Sequence, residues 1–227
     1  MSKDALPGAE LERELELELE LRPGTAPRRQ RCATCLRAQS ACICRWITRV
    51  DTRAALLVLQ HPLEVTNAKN SARLLHLSVD GSALAVGEAF DAAALEALLH
   101  ADGRVPVLLY PGTPGDANLP EPPPWMPLDA GRVRLVVLDA TWRKSRKMLY
   151  LNPALQGLPR LALVDVAPSN YRIRKAHAPH QLSSLEAAAL ALARLEGGDA
   201  AFQSLLDAFA GFVEQQAAYV AHSTRPA

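Results

Sequence analysis

A carboxylate, a hydroxyl and an indole stand together in Asp139-Ala140-Thr141-Trp142, directly after an apolar, β-branched run at residues 135–138. Such a run is typical of a strand that is buried on both faces of a parallel sheet. Polar side chains at the carboxyl end of a buried strand lie where open α/β sheets bind ligands. The motif therefore marks a candidate active site, although a simple helix-capping role for Asp139 is the alternative.

Four cations follow this motif within five positions, in a segment with helical propensity. They are Arg143, Lys144, Arg146 and Lys147. Solvated helix faces normally mix acids with bases, and no acid occurs among these four residues. The cluster therefore predicts contact with a polyanion, and an ordinary solvated helix face is the alternative.

A second chemical cluster is formed by Cys32, Cys35, Cys42 and Cys44, the four cysteines of the chain. Two close pairs separated by six residues have the spacing of metal ligands. Tetrahedral zinc accepts four thiolates at about 2.3 Å. We predict a zinc knuckle over residues 31–50, whose folding energy the metal supplies because the segment is too small for a core. Four free thiols in a reducing cytosol are the alternative.

Two further apolar runs end in polar or turn residues. The run at residues 54–60 ends in Gln60 and is followed by His61. The run at residues 105–110 ends in Tyr110 and is followed by Pro111 and Gly112. The carboxyl ends of parallel strands meet at one edge of a sheet, so we predict that these residues share a cofactor pocket with the Asp139 motif. A purely structural, hydrogen-bonded role is the alternative for His61.

The segment at residues 167–181 has no helical or strand periodicity and is rich in polar, basic and aromatic residues. Such a loop suits phosphate contacts and base stacking, with a solvated loop as the alternative. The residues concerned are Ser169, Asn170, Tyr171, Arg172, Arg174 and Lys175.

These groups must be positioned by strands that alternate with helices, which predicts an α/β fold with a mainly parallel sheet flanked by helices. Helices are predicted over residues 68–77, 91–99, 183–196 and 201–222, and a further strand over 159–164. No GxGxxG follows a strand and no GxxxxGK[ST] occurs. Nicotinamide-Rossmann and P-loop interpretations therefore lose their usual support.

Length and charge suggest three regions in the 227 residues. Residues 1–20 carry seven acids and two bases, and residues 22–50 carry seven arginines and no acid. We expect a disordered acidic tail and linker at 1–30, the knuckle at 31–50 and a catalytic domain at 51–227. No apolar run is long enough to span a membrane, and four clustered cysteines argue against a secreted disulfide framework. We expect a cytoplasmic protein.

The chain resembles the DTW-domain family of tRNA-uridine aminocarboxypropyltransferases. Four features in order carry the resemblance: the cysteine knuckle, the His61-Pro62-Leu63-Glu64 turn, the Asp139-Ala140-Thr141-Trp142 motif with its basic tail, and Tyr171-Arg172-Ile173-Arg174-Lys175. The family's name-giving motif is Asp-Xaa-Thr-Trp, and Ala140 fills its variable position. The resemblance covers about residues 31–193.

The resemblance implies a fold related to the SPOUT methyltransferases, with a C-terminal trefoil knot that holds S-adenosylmethionine. It implies transfer of an aminocarboxypropyl group to the imino nitrogen of a tRNA uridine, in the variable loop, with release of methylthioadenosine. We expect a monomer that binds tRNA.

Residue roles follow from the strand ends and the resemblance together. The predicted catalytic residues are Asp139, Thr141 and Trp142. The predicted cofactor-binding residues are Gln60, His61, Tyr110, Pro111, Gly112, Leu138, Ser169 and Asn170. The predicted RNA-binding residues are Arg143, Lys144, Arg146, Lys147, Tyr171, Arg172, Arg174 and Lys175.

The role of Asp139 stays open between two possibilities. A free carboxylate is a weak base, and neighbouring cations weaken it further. Asp139 therefore acts as a base from an apolar environment, or it orients the uridine while the proton leaves to water.

Two other functions compete with the transferase: a tRNA methyltransferase using the same cofactor, and a non-catalytic zinc-bearing RNA-binding protein.

Overall fold

The computed structural model of the protein describes residues 30–113, 115–164, 166, 169, 182–198 and 200–223. The predicted acidic tail and most of the basic loop at 167–181 lie outside the described residues. Within the described part, no helix is long and apolar enough to cross a membrane.

Within the described residues, a sheet of five parallel strands forms the centre of the fold, as the alternating pattern predicts. Its order is β2-β1-β4-β3-β5. The strands are β1 (Ala55–Gln60), β2 (Ala83–Val86), β3 (Val105–Leu109), β4 (Val133–Asp139) and β5 (Arg160–Leu161). Only two residues of the strand predicted at 159–164 pair with β3, so β5 is a short edge strand.

Six α-helices are described, and short 3-10 turns connect several elements. The helices are α1 (Ala72–Ser78), α2 (Ala92–Leu99), α3 (Trp142–Leu151), α4 (Pro153–Gln156), α5 (Ser184–Glu196) and α6 (Ala200–Ser223). The 3-10 turns are Gln39–Ala41, Cys44–Trp46, Pro62–Glu64, Ala101–Gly103 and Ala130–Arg132.

The helices cover both faces of the sheet and create two cores. Alternate strand residues point to opposite faces, so Leu56 and Val58 pack with α1, α5 and α6, whereas Leu57 and Leu59 pack with α2, α3 and α4. All seven residues of β4 are buried. The continuous apolar run therefore reflects a central strand that is covered on both faces.

Local signals predicted several helix ends correctly. Asp91 accepts a hydrogen bond from Ala94 N at the start of α2, and Ser183 forms a capping box with Glu186 at the start of α5. Gly197 ends α5 with a φ of 73°, a left-handed conformation that glycine adopts without steric cost.

The helix predicted over residues 68–77 begins later than expected, at Ala72. The preceding residues form successive turns instead, because Asn67 N donates to Glu64 O and Asn70 N donates to Asn67 O. Asn67 also accepts a hydrogen bond from Lys69 N through its side chain. This competition between side chain and backbone favours a turn over a helix.

The topology places a crevice at the carboxyl ends of β1 and β4. The chain leaves β1 through α1 towards β2, at one edge of the sheet. It leaves β4 through α3 and α4 towards β5, at the opposite edge. Neighbouring strands whose connections depart in opposite directions separate at their carboxyl ends, which is where open α/β sheets bind ligands.

Candidate functional site

The Asp139 carboxylate lies at this crevice and is only 1% exposed. Its Oδ2 accepts hydrogen bonds from Gln60 Nε2 at 2.9 Å and from Asn70 Nδ2 at 2.6 Å. Its Oδ1 accepts a hydrogen bond from Ser184 Oγ at 2.6 Å. One buried carboxylate therefore joins β1, the turn before α1 and the first residue of α5.

These three donors are neutral, and no cation of the described residues forms a hydrogen bond or ion pair with Asp139. The carboxylate acts as an acceptor throughout and has little contact with solvent. Thr141 is the N-cap residue of α3, with an extended backbone, so Asp139 does not cap that helix. Because protein donors already occupy both carboxylate oxygens and the residue is almost fully buried, the geometry favours an organising role for Asp139 over that of a base in an apolar environment.

Beside this carboxylate is a small recess of about 110 Å³ between the ends of β3 and β4 and the starts of α3 and α5. Leu138, Ala140 and Leu182 provide apolar surface, and Ser183 and Ser184 provide polar surface. The recess therefore offers both apolar and hydrogen-bonding surface to a ligand. Tyr110, Pro111 and Trp142 also line the recess.

A wider cleft of about 540 Å³ shares Tyr110, Pro111 and Trp142 with the recess. It also includes Gly112, Thr113, Gly115, Asp116, Arg143 and Arg146. The Trp142 ring stands edge-on to the Tyr110 ring, with centroids 5.8 Å apart and planes 64° apart. Trp142 is 50% exposed, whereas Tyr110 is only 6% exposed. The Trp142 side chain is therefore accessible to a ligand while it packs on the buried Tyr110 ring.

Arg160 holds the loop that follows β3. Its Nη1 donates to Pro111 O at 3.1 Å and to Thr113 Oγ1 at 3.0 Å, and its guanidinium lies over the Tyr110 ring at 5.4 Å. Burial lowers the pKa of Arg160. This arginine fixes the wall of the cleft opposite α3.

The predicted cofactor residue His61 is buried and belongs to a chain of polar contacts. His61 Nδ1 accepts a hydrogen bond from Leu63 N at 3.1 Å, so Nε2 carries the proton and donates to Glu88 Oε1 at 3.0 Å. Lys147 Nζ lies 2.7 Å from the other Glu88 oxygen. Lys147, and then His61, lower the pKa of Glu88. These contacts fit the structural alternative for His61.

Three of the four cations after the motif are paired with acids that lie far away in the sequence. Lys144 contacts Glu64 at 3.3 Å, Arg146 contacts Asp116 at 2.6 Å and Lys147 contacts Glu88 at 2.7 Å. Arg143 is exposed and has no such acidic partner among the described residues. The acids that are absent from the sequence around these cations are thus supplied by other segments. Among the four cations, Arg143 is the one most available to an external anion.

The cofactor-binding and RNA-binding residues predicted within the segment at 167–181 are only partly described. Ser169 Oγ donates to Glu186 Oε2 at 2.7 Å and contacts Oε1 at 3.0 Å, close to the capping box of α5. Asn170, Tyr171, Arg172, Arg174 and Lys175 lie outside the described residues, so their predicted roles stay predictions.

The four cysteines converge as their spacing predicts, with all four sulfur atoms within 4.8 Å of one another. Cys32 Sγ lies 3.5 Å from Cys44 Sγ, and Cys35 Sγ lies 3.8 Å from Cys42 Sγ. Tetrahedral coordination at about 2.3 Å separates thiolate sulfurs by about 3.8 Å. The cluster can therefore hold a metal ion, and its sulfur set suits zinc.

The cysteine thiols also differ in acidity. Backbone N–H groups of Cys35 and Thr34 lower the pKa of Cys32 to about 6, whereas burial raises the pKa of Cys44 to about 12. A divalent ion would stabilise all four thiolates together.

Sequence reasoning missed several residues that build the site. Asn70 and Ser184 bind the Asp139 carboxylate, and Glu64, Glu88 and Asp116 pair with the cations of α3. Ser184 adjoins a recognisable capping box, which could have indicated its position. Asn70 lies in an irregular turn and has no comparable signal.

Comparison with known proteins identifies one matching family model, described as the DTW domain, over residues 29–217. Three similar proteins are each named tRNA-uridine aminocarboxypropyltransferase 2. The Drosophila melanogaster protein is 30% identical over 79% of this chain and 72% of its own length. Those of Macaca fascicularis and Mus musculus are each 28% identical, over 82% and 80% of this chain. The chain spans 63% and 61% of their lengths. No solved structure matches the chain.

Proposed function

This chain belongs to the DTW-domain family, and from that premise we propose that it modifies a uridine of tRNA. The reaction is transfer of the 3-amino-3-carboxypropyl group from S-adenosylmethionine to the imino nitrogen, in the variable loop. The names of the three relatives support the group transferred and the nucleoside. S-adenosylmethionine is the donor that the family resemblance implies.

In this reaction, a bond forms between the uridine imino nitrogen and the carbon that links the aminocarboxypropyl chain to sulfur. That carbon–sulfur bond breaks, and its electron pair stays on sulfur, which becomes the neutral thioether of methylthioadenosine. The imino proton is lost to water. The protein must therefore align two substrates and stabilise a developing uridine anion.

One observation carries the proposal: the recess, the cleft and the half-exposed Trp142 meet where the strand ends converge on Asp139. We assign the donor to the recess together with the adjoining part of the cleft, because the recess of about 110 Å³ is smaller than a typical ligand pocket. Leu138 and Ser184 provide apolar and hydroxyl contacts in the recess. We assign the uridine to the cleft, where Trp142 can stack on a base. The cations that line the cleft can stabilise the anion that forms on the base.

For Asp139 we propose the orienting alternative, in which it acts on the uridine indirectly by holding the residues around the recess. Its two oxygen atoms already accept three hydrogen bonds, and it is almost fully buried. The carboxylate thereby holds the neighbouring strand end and the start of α5 at a fixed separation around the recess. The preorganisation of such groups lowers the barrier because no rearrangement is needed during the reaction.

Contacts with tRNA phosphates are assigned to the predicted cations, with Arg143 as the principal described contact. Arg146 and its partner Asp116 also form part of the cleft wall. Lys144 and Lys147 tie α3 to Glu64 and Glu88, which follow β1 and β2. We further propose that zinc occupies the cysteine cluster in a structural role. Four thiolates leave no open coordination position for chemistry.

The test is incubation of the protein with tRNA and S-adenosylmethionine, followed by mass spectrometry of the nucleosides. An aminocarboxypropylated uridine is the expected product, and Trp142→Ala should abolish most of it. Leu151→Ala, at the exposed far end of the same helix, is the matched control and should remain active. A methylated nucleoside would instead establish the methyltransferase. Binding of tRNA with no modified nucleoside and no donor binding would establish a non-catalytic RNA-binding protein.

A further inference from the structure

The cysteine knuckle at residues 31–50 is tied directly to the turn that precedes α1. Arg37 Nη2 donates to Asn70 O at 2.6 Å, and Arg37 Nη1 donates to Ala68 O. The guanidinium lies over the Phe212 ring at 5.1 Å, which holds it against α6. From the other side, Arg73 Nη2 donates to Thr34 O at 2.7 Å.

Asn70 is the residue through which this tie reaches the strand-end crevice. It is 3% exposed, and its Nδ2 donates to Asp139 Oδ2 at 2.6 Å. Its Oδ1 accepts hydrogen bonds from Gln60 Nε2 at 3.2 Å and from Arg73 N at 3.3 Å. The backbone of Asn70 is thus held by the knuckle, while its side chain holds the buried carboxylate.

The backbone of Asn70 lies outside any helix or strand, between the Pro62–Glu64 turn and α1. Regular backbone ladders therefore do not fix its carbonyl group. A charge-assisted bond from an arginine is stronger than a neutral hydrogen bond, and Arg37 supplies bonds to two carbonyls of this turn. Arg37 is well placed to set the position of Asn70.

We infer that Arg37 is a positioning residue for the transfer reaction, acting on Asp139 through Asn70. The cysteine knuckle thereby orders an active site that it does not line. This inference rests on the proposed function for its kinetic consequence, but the chain of contacts can be tested without catalysis.

The kinetic test compares Arg37→Ala with Gln215→Ala. Gln215 also holds the knuckle, because it accepts a hydrogen bond from Trp46 Nε1 and donates to Cys42 O, but it has no described contact with the turn before α1. Arg37→Ala should lower kcat about ten- to a hundredfold at saturating tRNA and donor, with each KM changed less than about twofold. Gln215→Ala should keep kcat within about twofold of wild type.

Conservative replacement and metal content separate positioning from a loss of folding. Arg37→Lys can reach one carbonyl but cannot bridge two with a planar fork, so it should restore part of kcat. Zinc content, measured by mass spectrometry, should be equal in all variants. A kcat within about twofold of wild type in Arg37→Ala, or an equal fall in Gln215→Ala, would overturn the inference.

A readout independent of activity is the side-chain amide resonance of Asn70, assigned by its disappearance in Asn70→Ala. It should shift or broaden in Arg37→Ala and remain in place in Gln215→Ala. An unchanged Asn70 signal in Arg37→Ala would overturn the inference even if kcat fell in that variant. Conversely, absence of modified uridine with the wild-type protein would refute the proposed function while this measurement still decided the role of Arg37.

Discussion

At the scale of single residues, Asp139 shows how a polar side chain can be both central and inaccessible. Two neutral amides and a hydroxyl donate hydrogen bonds to its carboxylate oxygens. Its burial therefore does not leave these oxygens without hydrogen-bond donors. The motif around it was recognisable because an acid follows a long apolar strand. Its partners were not, because side chains from a turn and a helix start meet it only through tertiary structure.

Removing one donor should weaken this network measurably. Ser184→Ala leaves Asp139 Oδ1 without the described hydroxyl donor, and hydrogen bonds to charged groups contribute about 1.5–3 kcal/mol. We expect a loss of that order in the free energy of unfolding, measured by urea denaturation. Ser184→Thr, which keeps the hydroxyl, should retain most of the stability. Equal stability of Ser184→Ala and wild type would contradict the role assigned to this hydroxyl.

The isosteric change Asp139→Asn should be more damaging than its shape suggests. An amide offers one accepting oxygen and one donating NH₂ group, so it cannot accept from the donors on both sides. Product formation should fall more than about tenfold, together with a lower unfolding temperature. Nucleoside analysis and thermal unfolding provide the measurements, and near-wild-type turnover would refute the assignment.

At the scale of elements, the proline-rich loop after β3 is fastened to α3. Asp116 accepts hydrogen bonds from Arg146 Nη2 and Tyr150 Oη, both at 2.6 Å. The sequence indicated a long surface loop here, since seven prolines occur between Pro111 and Pro127. It could not indicate the attachment, because Asp116 and Tyr150 are 34 positions apart.

This attachment should depend on pH. The hydroxyl of Tyr150, and then Arg146, hold the pKa of Asp116 below its usual 3.8. A lowered folded-state pKa gives stability that is present above the unfolded value and is lost as the pH falls through the folded value. Tyr150→Phe should move the titration midpoint up towards 3.8.

The amide of Asn118, which donates to Asp116 Oδ1 at 3.2 Å, reports this titration by NMR. Tyr219→Phe is the matched control, because the Tyr219 hydroxyl contacts Ser40 on the knuckle instead. A midpoint that is the same in wild type and Tyr150→Phe would show that this hydroxyl does not set the acidity.

The docking of α6 against the knuckle depends on a glycine. A Cβ at Gly211 would overlap the six-membered ring of Trp46. Alanine favours helix by about 1 kcal/mol, but overpacking costs about 1–3 kcal/mol. We expect Gly211→Ala to lower the unfolding temperature, measured by calorimetry. Combining it with Trp46→Leu should recover part of the Gly211→Ala loss, and strict additivity of the two changes would contradict the proposed overlap.

At the scale of the whole molecule, pairing of charges decides which cations remain available. The formal net charge of +1 says little, because acids from three separate segments meet the basic face of α3. The basic sequence cluster alone suggested four equivalent phosphate contacts. Folding makes them unequal, and Arg143 is the one left exposed without an acidic partner in the described part of the chain.

Binding of tRNA should reveal this inequality. Arg143→Ala should weaken binding and reduce the slope of log affinity against log salt by about 1. Arg146→Ala should change the slope less, because Asp116 already neutralises that guanidinium. Fluorescence titrations at several salt concentrations measure both. Equal slopes for the two variants would mean that the ion pair opens when RNA binds.

Much of the architecture follows from patterns along the chain, and the remainder does not. Apolar β-branched runs predicted the parallel sheet, and Asp91, Ser183 and Gly197 marked helix ends through local hydrogen bonds or backbone geometry. The start of α1 escaped prediction because local hydrogen bonds of Asn67 favour turns over a helix. The shortness of β5 escaped prediction because it depends on pairing with β3, a distant segment. The knot implied by the family resemblance stays a prediction.

The clasp between Trp46 and Gln215 joins residues that are 169 positions apart. During synthesis, the ribosome makes the cysteine segment long before it makes α6, the helix against which that segment packs. Contacts of such long sequence separation form late, because loop-closure entropy opposes them. The nascent thiols therefore lack their final packing partner while the residues between them and α6 are made, and early metal capture would protect them from oxidation in that interval.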